Sequence, residues 1–142
     1  MKKRIEADVP SILEKDGVIN NDLFDVNQEV VNIDDILRFA PAPSWSKRII
    51  DSSSNSATLI CQNPGEGNRE HYHPDWNEWW YIIDGEWEWD IEGIKKVVKT
   101  GDFVFIKKGR KHKITAVGEK PAIRLAVSRG DVEHVYDNEL CK

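Results

Sequence analysis

The stretch Gly65–Gly85, GEGNREHYHPDWNEWWYIIDG, decides how the rest of the chain is read, because it places three potential metal ligands, His71, His73 and Glu78, within eight residues. In an extended strand alternate side chains share a face, so His71 and His73 are expected to project together, with Arg69 on the same side and Tyr72 on the other. Pro74 has no N–H to give a ladder and ends that strand, and PDWN reads as a turn. Glu78 then opens a strand in which Glu78, Trp80 and Ile82 alternate against Trp79, Tyr81 and Ile83. A hairpin at the turn would set Glu78 beside the histidines. A second glycine-punctuated strand, Gly101–Gly109 (GDFVFIKKG), precedes His112, which is expected to fold back onto the first three ligands. Imidazoles with one carboxylate suit one divalent first-row metal, and iron, manganese, nickel, copper and zinc all fit those donors. The alternative, the same histidines kept without a metal, buries three imidazoles and a carboxylate together with nothing to bind.

Written as patterns, the two stretches are G(x)5HxH(x)4E(x)6G and G(x)5KxGxxH. Together they resemble the two motifs of the cupin family, over about residues 57 to 128. The second departs twice, with Lys107 where the family usually has proline and Ala116 where it usually has asparagine. The resemblance implies an all-β fold, a single cupin-type jelly-roll β-barrel with the metal inside, here with a short N-terminal helical segment. The expected organisation is an N-terminal extension over 1–56, the barrel over 57–130 and a tail over 131–142.

Composition agrees with such a domain. A chain of 142 residues, 39% hydrophobic and 32% charged, is long enough to bury one core and leaves no room for a second catalytic domain. A formal net charge of −5 argues against a nucleic-acid partner. Cys61 and Cys141 give no disulfide framework, no apolar leader opens the chain, and no apolar run is of membrane-spanning length, so a cytoplasmic protein with no membrane partner is expected.

Outside the barrel, Pro10–Gly17 reads as a turn or two of helix. Asn32–Ala40 reads as a better one: Asn32 caps it, Asp34 and Asp35 lie in the first turn, Ile33, Ile36, Leu37 and Ala40 make a stripe, and Pro41 and Pro43 stop it. Arg48–Ile50 reads as a short edge strand. From Ala57 the chain breaks into strands of five to eight residues between turn signals, of which Glu86–Ile91 alternates without a fault to bury Trp87, Trp89 and Ile91. The last strand is expected at Ile123–Ser128, with a short helix around Val132 and His134 on the surface.

Several side chains carry two readings. Arg69 is either a cation beside the metal that clamps a substrate carboxylate or an ordinary salt-bridged arginine, with a bulge able to overturn the inward placement. Trp80, on the same face as Glu78, is the tryptophan expected to line a cavity. The run Lys107, Lys108, Arg110, Lys111, Lys113 is a solvated loop or an anion-attracting rim. Trp79 and Tyr81 point away from the metal face, which favours a homodimer or a patch capped by the N-terminal segment.

The function expected is a metal-dependent enzyme acting on a small anionic organic molecule, with an oxygenase or dioxygenase, and hence iron, preferred. Within the cupins, Arg69–His73 and Glu78–Tyr81 resemble segments of 3-hydroxyanthranilate 3,4-dioxygenases, whose arginine at the Arg69 position contacts substrate. Those enzymes have one more residue between ligand histidine and glutamate, no histidine at the His71 position and an arginine where this chain has Ala116. The alternatives are a non-redox isomerase or lyase using the metal as Lewis acid with a base such as Tyr81, and a binding or sensing module without turnover.

Overall fold

A computed structural model describes residues 26–129 together with Val135 and Tyr136. The expected elements at Pro10–Gly17 and around Val132, the surface position of His134, and Cys141 lie outside those residues. The described chain holds one helix, α1 (Ile33–Phe39), and nine strands: β1 (Trp45–Asp51), β2 (Ser56–Gln62), β3 (Gly67–His71), β4 (Glu78–Asp84), β5 (Glu86–Ile91), β6 (Ile94–Lys99), β7 (Phe103–Ile106), β8 (His112–Val117) and β9 (Ala122–Ser128). They form two antiparallel sheets, β1-β2-β9-β4-β7 and β3-β8-β5-β6. This is the jelly-roll arrangement, in which consecutive strands repeatedly change sheets.

Alternation explains the core between the sheets. Trp80 and Ile82 from β4, Trp87 and Trp89 from β5, Val104 and Ile106 from β7, Ile114 and Ala116 from β8 and Ala122 from β9 form one buried cluster. Each large apolar side chain buried there contributes roughly 1.5–3 kcal/mol. Trp80 and Trp89 meet edge to face, with centroids 5.3 Å apart. The long edge strand β1 extends the expected Arg48–Ile50 segment at both ends.

A second apolar layer lies on the outer side of the larger sheet. Ile36 of α1 packs there with Trp45, Leu59, Cys61 and Ile123. That second cover explains why β2 is buried along its whole length. The helix is built as its sequence implies. Asn32 Oδ1 accepts the Asp34 N–H at 2.7 Å, the acidic residues Asp34 and Asp35 occupy the first turn, and Arg38 occupies the last.

Two glycines are required by close approach. A Cβ at Gly67 would lie 1.8 Å from the Ile114 carbonyl oxygen, so only glycine lets β3 pair with β8 at this point. Gly85, with φ +78°, turns the chain from β4 to β5, and a Cβ there would meet Cα and Cβ of Ala122 at 2.8 and 2.6 Å.

One expectation is corrected. Strands β3 and β4 do not form a hairpin: β3 pairs with β8 in the smaller sheet, and β4 lies between β9 and β7 in the larger one. The Pro74–Asn77 connection therefore crosses between sheets, and Glu78 approaches the histidines from the facing wall. Among the described residues no helix is long and apolar enough to cross a membrane.

Candidate metal centre

Three elements deliver the histidines. His71 is the last residue of β3, His73 lies two residues beyond it, and His112 opens β8 directly opposite His71 in the ladder. All three are buried. The β7–β8 loop is fastened onto the β3–β4 loop, with Gly109 N–H donating to the His73 carbonyl at 2.7 Å and Lys108 N–H to Asn77 Oδ1 at 2.8 Å. Those two bonds set His112 against the first motif.

One ring nitrogen from each of His71, His73 and His112 lies within 4.8 Å of the others. The outer nitrogens are committed elsewhere: His71 Nδ1 contacts the Arg69 carbonyl at 2.7 Å and His112 Nδ1 the Arg110 carbonyl at 3.1 Å. A carbonyl can only accept, so both Nδ1 atoms carry the proton and both Nε2 atoms present a lone pair. The Nε2 of His112, a residue with no solvent exposure, is buried without a hydrogen-bond partner. Burial pushes the His112 imidazole down to about 4, against a rise from the Glu78 carboxylate and a further fall from His73. It is therefore neutral, as a metal ligand must be. Glu78, also buried, reaches His73 Nε2 with its Oε1 at 2.6 Å. The residues thus fit a divalent cation: three convergent imidazoles fixed in the ligating tautomer or paired with a carboxylate, around a buried nitrogen otherwise left unsatisfied. The donor set does not choose the metal.

The remaining singled-out residues fall as follows. Trp80 is buried in the core and meets the His112 ring edge-on at 5.5 Å. Strict alternation fails on β3, whose register shifts between Asn68 and His71, so Asn68 and His71 are both buried although three residues apart. Arg69, half-buried inside that irregularity, places its guanidinium 4.2 Å from the Tyr136 ring centroid, and Tyr136 lies 5.4 Å from the His71 ring. Tyr81, named as a base, is on the outer face against Phe103 at 4.7 Å, because it alternates with Trp80 and Ile82. Lys107, Lys108, Arg110 and Lys113 are exposed.

Sequence reasoning missed two groups. Tyr136 comes from the tail, where Val135–Tyr136 is a small apolar signal in a polar segment. Arg124, a lone cation in the apolar strand Ala122–Ser128, is fully buried; it donates to Gln62 Oε1 at 2.8 Å and Asn68 Oδ1 at 3.1 Å and lies 4.4 Å from the Trp87 ring centroid.

Comparison with known proteins agrees with the fold. The model of the cupin domain matches residues 58–128. SchB of Streptomyces halstedii is 34% identical over 94 residues, covering 62% of this chain and 67% of SchB. The polyketide synthase protein CurC of Streptomyces cyaneus is 29% identical over 73 residues, 51% of this chain and 47% of CurC, so the chain spans about half of that relative. Among solved structures, the polyketide cyclase RemF of Streptomyces resistomycificus superposes with a TM-score of 0.58 at 18% identity, over 63% of this chain and 68% of that one.

Proposed function

The chain belongs to the cupin family, and we propose that it is a metal-dependent enzyme that binds a small organic molecule of polyketide type, with carbonyl groups and an anionic end, and promotes its cyclisation without net oxidation. The observation that carries this reading is the convergence of His71, His73 and His112, with His112 Nε2 buried and unpartnered, beside Glu78. A divalent cation held there supplies Lewis acidity, polarising a carbonyl oxygen. The names of CurC and RemF, a polyketide synthase and a polyketide cyclase, support the substrate class.

The chain's own residues bind and orient. The Arg69 guanidinium lies against Tyr136, whose ring meets His71, and in this reading it receives the anionic end of the ligand. Trp80 packs edge-on against His112 from the core side and holds that ring in place. In the cyclisation a carbon–carbon bond forms between an enolised methylene and a carbonyl carbon, and water is lost as the ring becomes conjugated.

An oxygenase is the second reading: were His71, His73, His112 and Glu78 all to hold a six-coordinate cation, two positions would stay open to small molecules. One experiment separates the two. Metal-defined protein is incubated with a short poly-β-carbonyl thioester while oxygen uptake and product mass are followed. The expected product is cyclic and lighter by one water, with no oxygen consumed. Oxygen uptake in step with product would replace the cyclase by the oxygenase, and no turnover with tight binding would leave a binding module.

A further inference from the structure

The last described residues, Val135 and Tyr136, return to the metal centre. Strand β3 ends at His71, and the next residue, Tyr72, sits between two ligands outside any named strand. Its N–H donates to the Val135 carbonyl at 3.1 Å, and its carbonyl accepts the Val135 N–H at 3.0 Å, a closed antiparallel bridge. Immediately afterwards the His73 carbonyl accepts from Gly109. The backbone that spaces His71 from His73 is therefore held by the C-terminal segment at one residue and by the β7–β8 loop at the next.

Side chains repeat the connection. Tyr136 is buried, its ring tilted 42° against His71 at 5.4 Å and its centroid 4.2 Å from the Arg69 guanidinium. Arg69 acts twice here, since its carbonyl also receives His71 Nδ1–H. Arg69, Tyr136 and His71 form one layered unit in which the tail supplies the middle member.

We propose that the Val135–Tyr136 segment is an integral wall of the metal site, with Tyr136 a positioning residue for His71, and that docking of this segment and metal binding strengthen each other. The proposal rests on the reading that the histidines bind a metal. Two backbone hydrogen bonds and one buried ring must offset the entropy of ordering the residues that make them, so docking is finely balanced. A cation that fixes His71 and His73 also fixes Tyr72 between them, so the bridge then forms at lower cost. By thermodynamic reciprocity the docked segment raises metal affinity by the same factor.

The test uses the full chain and Zn2+, a redox-inert probe. Hydrogen exchange at the Tyr72 and Val135 amides is expected to slow at least tenfold on Zn2+ binding, an effect that His112→Ala removes. In competition titrations, Val135→Pro, which deletes the N–H bonded to Tyr72, and Tyr136→Ala should each weaken Zn2+ binding at least tenfold, as losing partners of metal ligands does. Tyr136→Phe should restore it, because the ring is what meets His71. Should a variant fail to fold, exchange in the unsubstituted chain decides alone. Zn2+ binding that leaves both amides and both affinities unchanged would overturn the coupling while the metal site stood. Failure of the unsubstituted chain to bind Zn2+ would remove both.

Discussion

Replacing Arg124 by methionine isolates the polar network that ties the two sheets together. Arg124 on β9 donates to Gln62 on β2, its neighbour in the larger sheet, and to Asn68 on β3 across the barrel, with no solvent exposure. Methionine keeps much of the stem and leaves two buried side-chain oxygens without these donors, at roughly 1–3 kcal/mol each. The lost guanidinium–Trp87 contact adds about 1–2 kcal/mol in a desolvated setting. Against this, the desolvation of a buried charge is relieved, which is worth several kcal/mol. The expected net loss is roughly 2–4 kcal/mol, a fall in melting temperature on the order of 10 °C. Urea unfolding should show a lower midpoint at constant slope. A second arm makes the reasoning exposed to failure. The triple variant Arg124→Met, Gln62→Leu, Asn68→Leu removes donors and acceptors together and should regain at least half of the loss. A single variant costing under about 1 kcal/mol, or a triple variant as unstable as the sum of its parts, would refute the claim that unsatisfied acceptors dominate.

Further outcomes follow from particular contacts. Gly85→Ala forces a side chain to φ +78° and into Ala122, so a loss of roughly 2–4 kcal/mol is expected in the same unfolding assay, and a neutral result would contradict the close approach. The Cys61 thiol, buried first of all and then facing Asp84 and Glu66, is pushed up to about 11 from 9.0. A raised folded value stabilises below the unfolded one, so its contribution is present at pH 8 and is lost as pH rises from about 9 to 11. In a Cys141→Ser background, at pH 8, the Cys61 thiol should react with a disulfide reagent only after denaturation, and fast reaction of the native variant would show Cys61 to be accessible. Trp79, Phe103 and Phe105, at 40%, 71% and 62% exposure, line the outer face of β4 and the edge strand β7. Light scattering is expected to find a homodimer through that face, converted to monomer by Phe103→Lys with Phe105→Lys; a monomeric parent protein would rule it out.

What the sequence disclosed and what it hid divide along chain separation. Spacing within one stretch was enough to single out His71 and His73, which the structure brings together with His112, and the alternation of Trp87 and Trp89 or the capping of α1 by Asn32 are likewise local. The hairpin expected at Pro74–Asn77 failed because turn residues announce a change of direction without saying which sheet the next strand joins. The shift between Asn68 and His71 was hidden since a bulge depends on the partner strand, here β8. Tyr136 and Arg124 were hidden for a related reason: a tyrosine in a polar tail and an arginine in a strand acquire meaning only from Tyr72, Gln62 and Asn68, far away in sequence.

The central claim is that His71, His73, His112 and Glu78 hold one divalent metal ion, and parallel elemental analysis of the unsubstituted protein and His112→Ala tests it most directly. After exposure to metal and exhaustive dialysis, the unsubstituted chain should retain close to one equivalent. His112→Ala should bind at least tenfold more weakly and lose most of its metal, since altering even outer partners of such ligands costs about that much. An unsubstituted protein that emerges metal-free, or a His112→Ala variant with full metal content, would contradict the account.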